Sequence, residues 1–445
     1  MSREAPLKAE KDFTETLDEQ FPQIDVLAKD DYKSALDKLL LLEKQTRQAS
    51  DLASSKRLMV KLVDLLAVHK DWSLLDEQIT LLSKKHGQLK DSVQTMIQQV
   101  ITHLDEIEDL DTKITTIETI RTVTENKIFV EIERARVTRV LSDILLNKKK
   151  DLDKATDILC ELQVETYGSM EIEEKIQFIL RQMTLSNLKG DYQFSKILSR
   201  KILPRSLNKF ASLKQEYYEL MIAIALSEDD YVNIVKYNLF IYEIPSVQGD
   251  KKDSLRILKQ VVYYCILAPY SNLQNDLISK VQIDKNLEKL PLEDALIKQF
   301  TTKELINWKS FESTYNEHLF KDDTFDPSTE KGKLHHEALK KRVIEYNLRV
   351  ISQYYSLIKL ERLCQLLQLD QAQVELTIIE LVNEGIIYAK INRPSKVVNF
   401  VKPKSENELL NEWSHSIDLL LSDIETVEHL INKDEMIHAA TAKAK

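Results

Sequence analysis

Aspartate recurs at close to every fortieth residue through the first half of this chain, and most of these aspartates open an apolar helical stripe. The positions are Asp31-Tyr32, Asp71-Trp72, Asp111-Thr112, Asp151-Leu152, Asp191-Tyr192 and Asp230-Tyr231, with steps of 40 residues and 39 at the last. Ala35, Leu36, Leu39 and Leu40 follow the first, and Ala155, Ile158, Leu159 and Leu162 follow the fourth. A period near 40 with two helices per unit is the mark of a helical solenoid, in which each unit buries its apolar face only against its neighbours. The backbone breakers agree. Proline is absent between Pro22 and Pro204, which fits a long unbroken helical array. The six glycines stand at 87, 168, 190, 249, 332 and 385, too far apart for a phosphate-cradling loop.

Two polar stretches break the array. Ile244 to Asp253 reads as a turn around Pro245 and Gly249. Lys321 to Lys333, with Pro327 and Gly332, is the longer loop and the better module boundary. Between them, Val261, Val262, Tyr263, Tyr264, Ile266 and Leu267 predict a strongly apolar helix, and Phe300, Leu305, Trp308 and Phe311 continue the packing.

Beyond the second break the pattern changes. Leu360, Leu363, Cys364, Leu366 and Leu367 lie on one helix face in a segment starting near Ile358. Asp370 is placed to cap a second helix carrying Val374, Ile378, Ile379, Leu381 and Val382, and Gly385 stands where its C-cap belongs. Ile386, Ile387, Tyr388 and Ile391 form one β-rich run and Val397, Val398, Phe400 and Val401 another, with a turn at Asn392–Ser395. Helix, helix, strand, strand reads as a winged helix.

Its second helix is acidic, with Asp370, Glu375, Glu380 and Glu384 and no lysine or arginine, so a phosphate backbone would be repelled there. The hairpin is the opposite. Lys390, Arg393, Lys396, Lys402 and Lys404 form a basic patch that suits RNA or phosphate, or simply a solvated strand edge guarded by lysines. A third reading is that the edge at Val397, Val398, Phe400 and Val401 pairs with a neighbouring subunit.

After Pro403, Ser405 and Glu408 have the spacing of a capping box. Leu410, Trp413, Ile417, Leu420, Ile424, Val427 and Ile431 then alternate three and four apart over three heptads, the seam of a coiled coil or bundle. Burying all seven would contribute roughly 10 kcal/mol or more before ordering entropy. The seam predicts an intermolecular bundle, the alternative being that it folds back on its own chain. Lys433 to Lys445 is expected to fray.

No catalytic chemistry emerges. The nine histidines lack metal-ligand spacing, and His335 and His336 read as a solvated helix start. Cys160, Cys265 and Cys364 show no pairing, which predicts reduced thiols and no disulfide frame. No secretory signal core or span of ~20 apolar residues is present, so a soluble protein of cytoplasm and nucleus is expected. The net charge of −10 argues against general binding to nucleic acid or acidic membrane. No cofactor and no enzymatic activity are predicted.

A helical solenoid running into a winged helix and a bundle helix resembles the PCI family of scaffold subunits, found in the proteasome lid, the COP9 signalosome and a translation initiation complex. The strings that carry the likeness are Arg342-Val343-x-Glu345-x-Asn347, Tyr354-Tyr355, Gln365-Leu366-Leu367, Ala389-Lys390 and Asn399-Phe400. More specific are Pro403-Lys404, Leu409-Leu410-Asn411-x-Trp413-Ser414 and the run from His429 to His438, which resemble the proteasome-lid branch. The resemblance implies a mostly α chain: a right-handed solenoid of TPR-like helix pairs, a winged-helix PCI module and a C-terminal bundle helix. The corresponding segments are a polar tail over 1–24, the solenoid over 25–333 with the helical part of the PCI domain from about 230, the winged helix over 334–403, and the bundle helix and tail over 404–445. It further implies a hetero-oligomer whose partners are sister PCI subunits, the lid deubiquitinating subunit, the ATPase ring and the core particle, and potentially signalosome subunits. Its role would be structural, in ubiquitin-dependent degradation. An initiation-complex scaffold touching RNA through the basic hairpin is the alternative.

Overall fold

A computed structural model describes residues 13–320, 322 and 324–443. The chain divides into two compact units, residues 1–258 and 259–445.

The first unit is a helical-repeat array. Its helices include Thr14–Asp30, Tyr32–Gln48, Leu52–Val68, Trp72–Lys84, Lys90–His103, Leu110–Thr124, Glu131–Ile144, Leu152–Cys160, Ile172–Lys189, Tyr192–Ser199, Ala211–Ser227 and Tyr231–Tyr242. Asp31, Asp71, Asp151, Asp191 and Asp230 all stand at N-caps, each side chain accepting a backbone N–H two or three residues on. In the third repeat the cap is Asp109, not Asp111. A 3-10 turn at Leu104–Glu106 and an extended Asp109 start that helix early, and Asp111 reaches Lys149 instead at 3.2 Å. Asp51 caps the helix Leu52–Val68 from a turn between repeats, which the 40-residue comb does not sample.

The residue before the cap completes the turn. Lys70, Lys150, Gly190 and Asp229 all have left-handed backbones, which lets the chain reverse within one residue. At Lys150 the φ of 54° costs a side-chain-bearing residue about 1 kcal/mol. Lys150→Gly is therefore expected to stabilise the array by about 0.5 kcal/mol net of unfolded-state entropy, read as a higher urea midpoint.

Stacking explains the period. Tyr32 donates to Asp71 at 3.2 Å, and Arg57–Asp18, Arg121–Glu161, Arg136–Glu174 and Arg181–Asp143 pair at 2.6–2.7 Å. Partners in these contacts are 38 to 40 residues apart. Exposed pairs of this kind contribute little each. The apolar stripe contributes more, in a buried cluster running from Leu17 to Ala155 and continued by further clusters to Val247. Leu17 and Ile24 are buried within Thr14–Asp30, so residues 14–24 belong to the array and not to a polar tail; residues 1–12 lie outside the described residues.

Asp76 is a costly group in this unit. Burial pushes its carboxyl up to about 6, only partly offset by the Thr116 hydroxyl that donates to Oδ2 at 3.2 Å, and Oδ1 has no partner. Because the folded pKa lies above the unfolded one, stability is full below the ordinary carboxylate value and falls as pH rises through 6. Asp76→Asn is expected to stabilise the chain by about 1 kcal/mol at pH 7.5, discounted for residual solvent screening. That gain should vanish below about pH 4, as urea midpoints across pH would show.

The second unit begins inside the helix Lys251–Leu267 and continues with Asn272–Gln282, Pro291–Thr301, Trp308–Leu319 and Glu330–Tyr354. The unit boundary falls near the first expected break, and the polar stretch 321–333 is internal to a unit. Ring packing across that stretch, Tyr264 against His335, shows why, and a buried carboxylate anchors the helices ahead of it. Glu293, 3% exposed, accepts from Tyr263 at 3.1 Å and lies 2.9 Å from His318 and 3.4 Å from Lys259. Phe325 packs edge-on against Tyr263 and His335. His335 is therefore a buried core histidine, its Nδ1 2.7 Å from the Thr324 carbonyl, and not part of a solvated helix start.

The winged helix follows: strand Leu357–Lys359, helices Leu360–Leu367 and Gln371–Asn383, and strands Lys390–Asn392 and Val397–Asn399. Gly385 takes the left-handed conformation (φ 71°) after the second helix, with Ile386 N–H bonded back to Leu381 O at 3.0 Å. Asp370 stands at the N-cap without a side-chain capping bond. The sheet has three antiparallel strands with Val397–Asn399 in the middle. Leu348, Leu363, Val374, Ile378, Leu381, Val398 and Phe400 form its core.

Candidate assembly interface

The capping box at the start of the last helix forms as its spacing predicts. Ser405 N–H donates to Glu408 Oε2 at 2.9 Å, and Glu408 N–H to Ser405 Oγ at 3.3 Å. Those contacts hold the Glu408 carboxyl below its ordinary range. The helix then runs unbroken over Glu406–Lys443, so residues 433–443 are helical, not a frayed tail.

Every seam position stays exposed. Leu410, Trp413, Ile417, Leu420, Ile424, Val427 and Ile431 are each 40–65% exposed, and Leu409, Leu419, Leu421, Leu430, Met436 and Ile437 join them. The fold-back alternative therefore does not occur among the described residues. Thirteen large apolar side chains on one helix are left to water, far beyond the scattered singles of an ordinary surface. An isolated helix gains nothing from that face; a bundle of partner helices would cover it.

The sheet places the second predicted surface differently. Val397–Asn399 is the central strand, paired with Leu357–Lys359 on one side and Lys390–Asn392 on the other. Val398 and Phe400 are buried in the winged-helix core, and of the four predicted edge residues only Val401 is well exposed, at 53%. The edge at Val397–Val401 is thus not free, because the short strand before the first helix takes it. The outer strands are Leu357–Lys359 and Lys390–Asn392, and exposed Tyr354, Tyr355 and Leu357 stand at the first. Three residues, only one of them β-branched, are too short a run for the period-2 signal to announce a strand.

The basic hairpin is largely neutralised. Arg393 pairs with Glu375 at 3.2 Å, Lys396 with Glu361 at 3.4 Å and Lys404 with Glu412 at 2.6 Å. Lys390 lies over the Tyr388 ring, and Lys402 is exposed. Three of five cations with carboxylates at hand make a poor phosphate track.

The residues of the Arg342-x-x-Glu345-x-Asn347 string work inside the unit. Arg342 donates from Nε to the Leu267 carbonyl at 3.2 Å and pairs with Glu345 at 2.5 Å. Asn347, 5% exposed, accepts from Ile306 N–H and donates to Ile306 O, both at 2.8 Å. They clamp the helical part of the module, with Glu345 and Asn347 buried.

Comparison with known proteins agrees with this layout. The chain matches family descriptions for the PSMD12/CSN4 N-terminal region over residues 34–250, the PCI domain over 312–402 and the 26S proteasome regulatory subunit RPN5 C-terminal domain over 407–439. It is 56% identical over 447 residues to the 26S proteasome regulatory subunit RPN5 of Saccharomyces cerevisiae, covering 100% of both chains. The chain belongs to the RPN5 family of 26S proteasome regulatory subunits. Within this RPN5 family the match extends to the 26S proteasome non-ATPase regulatory subunit 12 homolog A of Arabidopsis thaliana, 36% identical over 92% of this chain and 98% of that one. A more distant likeness, 24% identical over 45% of this chain and 46% of the other, links it to COP9 signalosome complex subunit 4 of Drosophila melanogaster. The RPN5 C-terminal match falls on the exposed helix itself.

Proposed function

We propose that this chain is a non-catalytic scaffold subunit of the lid of the 26S proteasome regulatory particle. Its last helix enters a bundle with sister PCI subunits, and an outer strand of its winged helix, Leu357–Lys359 or Lys390–Asn392, meets a neighbour's sheet. The observation that carries this reading is the helix Glu406–Lys443, whose apolar seam is uncovered along its length. Contacts with the deubiquitinating subunit, the ATPase ring and the core particle follow from membership, as does a role in ubiquitin-dependent degradation in cytoplasm and nucleus. Among the described residues no helix is long and apolar enough to cross a membrane. The likeness to a signalosome subunit supports a second assembly of the same kind. The initiation-complex alternative gains no support, since its hairpin cations are mostly paired and the relatives carry proteasome and signalosome names.

The test is recovery of tagged chain from cells, with and without residues 405–445, followed by mass spectrometry. Full-length chain should bring down lid and base subunits, and the truncation should lose the mature lid. Recovery of ribosomal or initiation proteins by both forms would refute the assignment.

A further inference from the structure

The helix Glu330–Tyr354 carries a second arginine about two turns beyond Arg342, and its charge is unmatched. The guanidinium carbon of Arg349 lies 3.6 Å from the Tyr270 ring centroid and 5.4 Å from that of Tyr346. It makes no hydrogen bond or ion pair with a described residue. Its neighbour Glu345 is already committed to Arg342, so that pair is internally neutral and Arg349 is left with an uncompensated charge. Stacking on a ring uses the face of the guanidinium and leaves its in-plane N–H donors available to an acceptor from outside the chain. Burial holds its pKa below the ordinary arginine value, which agrees with incomplete solvation.

Arg349 opens onto a cavity of about 30 Å³ that is also lined by Tyr270, Gln274 and Phe300, with the Arg342–Glu345 ion pair on its wall. An apolar wall with a few converging polar groups is the ordinary make-up of a recognition pocket. A space this small suits the two oxygens of a side-chain carboxylate better than a bulkier tetrahedral phosphate.

We propose that Arg349 and Tyr270 form a subsite for one carboxylate, an aspartate or glutamate side chain supplied by a neighbouring protein in the assembly. The planar fork of Arg349 grips both oxygens while Tyr270 holds the guanidinium in place. The proposal rests on the scaffold reading for its partner, but the pocket's choice of ligand does not.

The test has two arms. Full-length chain labelled at arginine Nε is titrated with sodium propionate, a mimic of the glutamate side chain, against sodium chloride and sodium phosphate at matched ionic strength. Arg349→Lys assigns the resonance. The Arg349 Nε–H signal should move saturably with propionate and not with the other two salts. In the second arm, Arg349→Lys and Arg349→Met chains are expressed in cells, and the recovered complexes should fall about tenfold while the free chains keep their melting temperature. No propionate-specific shift, or an equal shift with phosphate, overturns the carboxylate subsite. Wild-type yields of complex with both variants overturn the neighbour as its source. If the scaffold reading itself fails, wild-type chain recovers no lid subunits whatever happens in the titration.

Discussion

Replacing Trp413, Leu420 and Ile424 together by glutamate is expected to abolish incorporation into the assembly while leaving the isolated chain as stable as before. The reason lies in where these side chains are. They are 65%, 60% and 54% exposed in the chain alone, so removing them breaks no internal contact and should change its unfolding free energy by less than about 0.5 kcal/mol. In a bundle each would be buried for about 1.5–3 kcal/mol, so the triple variant forfeits roughly 5–9 kcal/mol of association and adds three charges to an apolar seam. That is on the order of a thousandfold in affinity or more. Urea unfolding of the free chain and co-purification from cells measure the two halves separately. Loss of stability in the free chain would mean the seam is packed internally.

Val398→Asp is expected to do the reverse. Val398 is 0% exposed at the centre of the middle strand, opposite Ile358 on one side and Ile391 on the other. A carboxylate there has no cation or donor within the core, and its burial should cost at least about 4 kcal/mol, enough to unfold the winged helix. Leu357→Asp on the outer strand, where the side chain is 59% exposed, should cost the free chain less than about 0.5 kcal/mol. Urea unfolding followed by circular dichroism distinguishes them. If Val398→Asp is tolerated and Leu357→Asp is not, the strand order is wrong.

Local chemistry was legible in the residues; contacts between distant segments were not. Ser405 with Glu408, Gly385, and the aspartates at 31, 71, 151, 191 and 230 each announce a helix end, because capping is settled within four or five residues. The third repeat slipped because two aspartates, Asp109 and Asp111, compete two residues apart and backbone geometry chooses between them. The hairpin's cations read as a free patch because Glu361 and Glu375 lie 35 and 18 residues away. The strand Leu357–Lys359 was hidden by its length, and its pairing reversed which residues form the edge. His335 could not be told from an exposed histidine until Tyr264 and Phe325 were seen around it. The seven-residue seam, by contrast, was readable, since a heptad repeat needs only its own helix to declare a face, whereas exposed Leu409, Leu419, Leu421, Leu430, Met436 and Ile437 fall outside that repeat.

The central claim is that the helix Glu406–Lys443 is complete only in an assembly. Hydrogen exchange over residues 406–443, followed in the free chain and in the purified complex, addresses it directly. Rapid exchange is expected in the free chain, where the helix is exposed along its length, and strong protection in the complex. Protection already present in the free chain, or rapid exchange in both states, would contradict it.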